Sequence, residues 1–219
     1  MHTKRTQMPN TWPIPRKGRR QRFIANPSHS KNKSITILAI LRDLLKIANT
    51  RKEVKYIVSN GNVLINNKIR KDEKFPVFAF DTVNLSKLNK YYRLEIVNKK
   101  YVLNEIDAKQ SEFKTTKIIG KKVLSKKNIQ MNLEDGTNLI YNKEFKVGDS
   151  VVFNTKENKI EKILSLKPKA NVEIIGGKHA GEKGEILSVE KMKRGFEYKI
   201  KLENDNEVLL PFKTFLVVN

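Results

Sequence analysis

A chain of 219 residues with 38% hydrophobic content and no long apolar run has room for two or three small domains, and is expected to be soluble, without a secretory or membrane-spanning segment. The absence of cysteine excludes disulfides, thiolate metal sites and cysteine nucleophiles, and the three histidines, His2, His29 and His179, lack ligand-spaced partners, so no metal or cofactor is expected. Forty-five Lys and Arg against 23 Asp and Glu give a formal net charge of +22, more than a lone globular enzyme needs, and point to an anionic polymer whose counterions are released on binding.

Residues 1–33 contain no acidic side chain. Lys4, Arg5, Arg16, Lys17, Arg19, Arg20, Arg22, Lys31 and Lys33 alternate with Pro9, Pro13, Pro15, Gly18 and Pro27, a composition that bars a helix and cannot bury enough apolar surface to fold alone. The expectation is an extended basic arm that follows an RNA groove, its arginines pairing phosphates bidentately. Trp12 has two readings, stacking on a base or packing against the next domain through its proline neighbours. A localisation signal is the other reading of the arginines.

Residues 34–83 read as a helix-helix-hairpin unit. Ile37, Ile40, Leu41, Leu44 and Ala48 share one helical face, opposite Arg42, Asp43 and Lys46, and Ser34 is placed to cap that helix. Thr50 and Glu53 form a capping-box pattern for a second helix that buries Val54, Ile57 and Val58, shows Lys52, Lys55 and Tyr56, and ends at Asn60 and Gly61. A short hairpin turns at Asn66 and Asn67 and ends in Arg70 and Lys71. Together these cations make one ledge on a small scaffold; singly, each is an ordinary solvated lysine.

From about residue 91 to 167 the pattern changes to short alternating strands, with Asp135 and Gly136 as a hairpin turn and Lys121, Lys122, Lys126 and Lys127 in loops, which predicts a small antiparallel β domain. From 168 to 219, glycines at 176, 177, 181 and 184 predict a tight loop between strands that carries Lys178, His179 and Lys183. Gly176 and Gly181 have the spacing of a nucleotide-phosphate loop, but Glu182 and Lys183 follow where Lys and Ser or Thr are required, and strands rather than a helix flank it, so that mechanism has no parts. The loop reads either as an RNA backbone contact or as a tight turn with incidental charge. No basic helix has the broad apolar face that a membrane surface requires.

Residues 172–189 resemble a KOW motif, and residues 34–83 resemble the alpha-L RNA-binding module shared by some ribosomal proteins, pseudouridine synthases and a tyrosyl-tRNA synthetase appendage. The order of the pieces is more specific. Trp12, Pro13, Ile14, Pro15, Arg16, Lys17 and Gly18, then Ile40 to Leu44, then Lys74, Phe75, Pro76 and Val77, then Val147, Gly148 and Asp149, then Gly176 through Gly181, are similar throughout to the S4e family of small-subunit ribosomal proteins, in its archaeal branch.

The resemblance implies an α+β fold: an extended basic arm (1–33), an alpha-L domain (34–90), a central antiparallel β domain (91–167) and a KOW SH3-like barrel (168–219). It implies a structural, non-catalytic component of the cytoplasmic ribosome, whose partners are small-subunit rRNA and neighbouring ribosomal proteins, with no small-molecule substrate. Carried onto this chain, it makes Lys4, Arg5, Trp12, Arg16, Lys17, Arg19, Arg20, Arg22, Arg51, Lys52, Lys55, Arg70, Lys71, Lys178, His179 and Lys183 candidate RNA contacts. Two other readings are an RNA-modifying enzyme with an alpha-L delivery module and a KOW-bearing transcription or translation factor. The first lacks a large catalytic domain after residue 83, where Asp135 and Asp149 sit beside glycines as turn formers. The second has less use for an arginine arm.

Overall fold

The computed structural model describes residues 2–17, 22–124, 128–192 and 195–218, which fall into two compact units, Met1–Glu112 and Phe113–Asn219. The first opens with β1 (His2–Lys4), paired antiparallel with β2 (Phe23–Ala25). Met8, Trp12, Ile14 and Ile24 are buried, and the Tyr101 N–H donates to the Thr11 carbonyl at 2.9 Å. The expected extended arm is therefore corrected to a segment folded onto its own unit. Proline limits helix here to the single 3-10 turn at Arg5–Gln7 but allows strand and turn, and one tryptophan with three other apolar side chains supplies the area to dock the segment.

β3 (Ser34–Thr36) leads into one α-helical turn, α1 (Ile37–Ala39), which widens into a π-helical turn over Ile40–Leu44. Thr36, not Ser34, is the N-cap, its hydroxyl accepting from the Ala39 N–H at 3.2 Å; Ser34 is buried and donates to the Ser30 carbonyl instead. The Leu45 N–H reaches back to the Ile40 carbonyl, and Lys46 turns left-handed at φ +54°, which ends the helix short of the expected Ala48. Ile37, Ile40, Leu41 and Ala48 are still buried.

α2 (Arg51–Ser59) carries the expected capping box: the Thr50 hydroxyl accepts from the Glu53 N–H at 3.3 Å, and the Glu53 carboxylate accepts from Asn49 and Thr50. The hydrogen bond from the Asn49 N–H, and then the Thr50 hydroxyl, hold the Glu53 carboxyl below its ordinary value. Val54 and Val58 are buried and Ile57 is half-buried, and Gly61 at φ +73° closes the helix. β4 (Val63–Ile65) and β5 (Lys68–Ile69) form the expected hairpin, with Asn66 and Asn67 both at positive φ. β6 (Pro76–Phe78) returns to β3.

β7 (Thr82–Leu85), β8 (Lys90–Val97) and β9 (Lys100–Ile106) complete a five-stranded antiparallel sheet in the order β5-β4-β7-β8-β9. The boundary expected near residue 90 is thereby corrected. β8 and β9 belong to the first sheet because Leu94 bonds Phe80 and Asp81 through its backbone and, with Ile96, is buried there. The Asp81 carboxylate, itself buried, accepts from the Phe78 N–H at 2.8 Å and from Asn66 Nδ2 at 3.0 Å.

The second unit holds β10 (Phe113–Val123), β11 (Ile129–Leu133), β12 (Asn138–Ile140), β13 (Ser150–Asn154) and β14 (Lys159–Leu164), ordered β12-β11-β10-β13-β14. Ile118, Met131, Leu133, Phe145, Val151 and Phe153 form its core. A further five-stranded sheet follows: β15 (Asn171–Ile174), β16 (Lys183–Met192), β17 (Gly195–Leu202), β18 (Glu207–Pro211) and β19 (Phe215–Val217), ordered β18-β17-β16-β15-β19 over Val172, Ile174, Ile186, Ile200 and Phe215. Strand dominates the fold more than an α+β reading implies, α2 being the longest helix among the described residues.

Candidate nucleic-acid interface

α2 presents its charged side because Val54 and Val58 face inward, which turns Lys52, Lys55 and Tyr56 outward. Arg51, at the first turn, spends Nε and Nη2 on Glu73 Oε1, with Nε at 2.8 Å. The Glu73 side chain is only 9% exposed while that of Arg51 remains 59% exposed, so the guanidinium neutralises a buried carboxylate and still faces solvent. The hydrogen bond and charge of Glu73 raise the Arg51 pKa further, which keeps it cationic at any working pH.

Two residues further on, Phe75 receives Arg70, whose guanidinium carbon lies 4.3 Å from the ring centroid. The short segment from Arg70 to Phe75 thus holds both arginines. Arg70 is half-buried and its Nε has no hydrogen-bond partner among the described residues, while Lys71 is exposed. Of the five expected ledge cations, Lys52, Lys55 and Lys71 are fully presented, and Arg51 and Arg70 are partly committed to the scaffold.

The arm cations divide more sharply. Arg5 is buried, donating from Nη1 to the Pro15 carbonyl at 3.0 Å, and so leaves the set of candidate contacts. Trp12 is 1% exposed, and its Nε1 donates to the Ser34 carbonyl at 2.9 Å. A ring covered on both faces has none for a base, so of its two readings the packing one holds. Arg16 is exposed while donating to the Met8 carbonyl and to Asn10; Lys4, Lys17 and Arg22 are exposed, Arg22 lying 5.9 Å from the Phe23 centroid. Arg19 and Arg20, like Lys126 and Lys127 in the central loop, lie outside the described residues.

In the second unit the four glycines of the expected loop differ in their surroundings. Gly177 and Gly181 take φ +92°, and a Cβ on Gly184, in β16, would stand 2.4 Å from the Lys201 carbonyl oxygen of β17, whereas one on Gly176 or Gly177 would meet open space. His179 is half-buried, with Nδ1 3.1 Å from Glu182 Oε2; Lys178 and Lys183 are exposed. Charge separates this sheet from the rest: residues 171–219 hold eight Lys and Arg against eight Asp and Glu, while residues 1–170 hold 37 against 15. Lys199 is paired with Glu207 and Lys201 with Asp205.

Asp135 and Asp149, the two carboxylates beside glycines, both hold turns. Asp149 is buried, accepting from the Lys146 and Leu166 N–H groups, each at 2.9 Å. Asp135 accepts from the Thr137 N–H at 2.9 Å and pairs with Lys114, itself only 3% exposed. Burial pushes the Asp135 carboxyl up, but the charge and hydrogen bond of Lys114, aided by Thr137, outweigh it and hold the group below its ordinary value. No group of three or more acidic or His side chains that could hold a metal occurs among the described residues. The residues that sequence reasoning missed are Lys114 and Lys117, which stand at strand positions with nothing to mark them from solvated lysines.

Comparison with known proteins places these surfaces in context. Residues 88–160 match the family model described as Ribosomal family S4e, residues 40–83 that of the S4 domain, and residues 168–194 that of the KOW motif. The chain is 35% identical over 192 residues to the small ribosomal subunit protein eS4 of Methanocella arvoryzae, covering 86% of this chain and 80% of that one. It is 32% identical over 219 residues to the eS4 protein of Archaeoglobus fulgidus, covering 100% and 92%. Its fold is similar to the crystal structure of the 30S ribosomal protein S4e from Thermoplasma acidophilum, with a TM-score of 0.73 at 25% identity over 86% of this chain and 96% of that one.

Proposed function

This chain belongs to the S4e family of small-subunit ribosomal proteins, and from that membership we propose that it is a structural, non-catalytic component of the small subunit that grips folded rRNA by shape and phosphate. In this reading α1, the π-turn, α2 and the β4-β5 hairpin act as an alpha-L module, and the last sheet as an SH3-like KOW barrel. Lys52, Lys55 and Lys71, with the outer edges of Arg51 and Arg70, meet phosphates from a rigid scaffold; Lys4, Arg16, Lys17 and Arg22 extend that contact. Lys178, His179 and Lys183 contribute less, since their sheet carries no net charge. Neighbouring ribosomal proteins complete the surroundings, and the cytoplasmic ribosome is its place of work.

The observation that carries this reading is the combination of buried Val54 and Val58 with outward Lys52 and Lys55 on one short capped helix. Cations on a pre-ordered helix pair phosphate without any further cost of ordering the backbone. Sedimentation tests it: the protein is expected to run with small subunits and to leave them only at high salt, as counterion release requires. A protein found free in the lysate at low salt, or one that modifies RNA bases when purified, would overturn it.

A further inference from the structure

One side chain on α2 is not used by a ledge that only grips phosphate. Tyr56 is 69% exposed, although tyrosine is a poorer helix former than the lysines around it, and among the described residues its ring meets no aromatic or cationic partner. Helical geometry places Lys52 one turn below it, on the side toward which its ring leans, and Lys55 immediately before it. The start of the helix is not a competing anion site, because Thr50 and Glu53 already occupy its cap.

We propose that Tyr56, flanked by Lys52 and Lys55, is a stacking platform for one unpaired RNA base, so that the ledge selects a looped or bulged strand over continuous duplex. The proposal rests on the reading of the ledge as an RNA surface. A lysine meets phosphate equally well in any RNA, but an aromatic face gains only from a base whose own face is free. Within a duplex those faces are covered by neighbouring pairs, and in a loop they are not. With Trp12 buried, Tyr56 is also the most exposed aromatic ring among the described residues.

The test uses the full chain, a short single-stranded RNA carrying 4-thiouridine, and a paired RNA duplex of the same length. Irradiation is expected to attach the single strand at Tyr56. Tyr56→Ala is expected to weaken single-strand binding by about tenfold while Tyr56→Phe retains it, with duplex binding unchanged by either. Attachment only at Phe23 or Phe196, an equal loss on both RNAs, or a Phe variant as weak as Ala would overturn the platform; so would no change at all, which would leave the ring to a protein neighbour. Lys52→Gln with Lys55→Gln separates the two ideas. Weaker binding of both RNAs with a shallower salt dependence upholds the ledge. If that pair changes nothing, the ledge falls and the platform with it; if the pair weakens both RNAs while Tyr56→Ala changes neither, the platform alone falls.

Discussion

Lys117 in β10 donates from Nζ to the Phe215 carbonyl in β19 at 2.6 Å, and its ammonium lies 4.7 Å from the Phe215 ring centroid. It also bonds the Phe212 carbonyl, and the residue is 1% exposed. A buried ammonium is tolerable only when its protons are satisfied, and two carbonyls and two aromatic faces do this between the sheets of the second unit. Lys117→Met keeps the volume and leaves both carbonyls without that donor. It is expected to destabilise the second unit by about 2 kcal/mol in guanidinium unfolding, with β10 and β19 amides losing hydrogen-exchange protection together. Unchanged protection in either strand would break the connection.

Arg51 serves two masters, and its reversal should show it. Arg51→Glu places a second carboxylate beside Glu73, which is buried and would lose its partner. A loss of about 2 kcal/mol in the first unit is expected, against almost none for Lys55→Glu on the solvent side. Thermal unfolding of the two variants checks the contrast, and equal melting temperatures would contradict the geometry. Charge reversal meant to probe RNA binding alone belongs at Lys52 and Lys55.

Acid should loosen the second unit through Asp135. Its carboxyl titrates lower in the fold than in the unfolded chain, so the stability it contributes is fully present above its ordinary value of 3.8 and is lost as pH falls below that. Asp135→Asn should remove this part of the acid dependence and, by leaving Lys114 buried with a neutral partner, lower stability at neutral pH by roughly 3 kcal/mol. The check is a set of denaturant melts from pH 7 down to the acid limit. An unchanged acid slope in the variant would assign the effect to other groups.

Trp12, the only tryptophan, reports on the arm. Buried with its indole N–H on the Ser34 carbonyl, it should emit at short wavelength in the free protein, and added RNA should not quench it. Trp12→Ala should cost about 4 kcal/mol and free the segment between β1 and β3 to proteolysis. Red-shifted emission quenched by RNA would restore the base-stacking reading.

Local rules were legible where the causes are local. The Thr50 and Glu53 capping box, the Gly61 stop, the Asn66 and Asn67 turn and the Asp135 and Gly136 turn all follow from residues within four positions of one another. The outward direction of Lys52 and Lys55 follows from the spacing of Val54 and Val58. The first helix was legible in its buried face but not in its end, because the π-turn and the left-handed Lys46 answer to packing and not to propensity.

What the sequence determined by itself was a polycation with capped and turned elements, since charge, turn preference and periodicity are properties of residues and their near neighbours. Tertiary structure alone decided which cations are spent. Arg5, Lys114 and Lys117 look in sequence like any of the exposed lysines and arginines, yet each is buried against a partner from 10 to 98 positions away. Desolvation is set by what the fold brings against a side chain, and no count of charges along the chain contains that information.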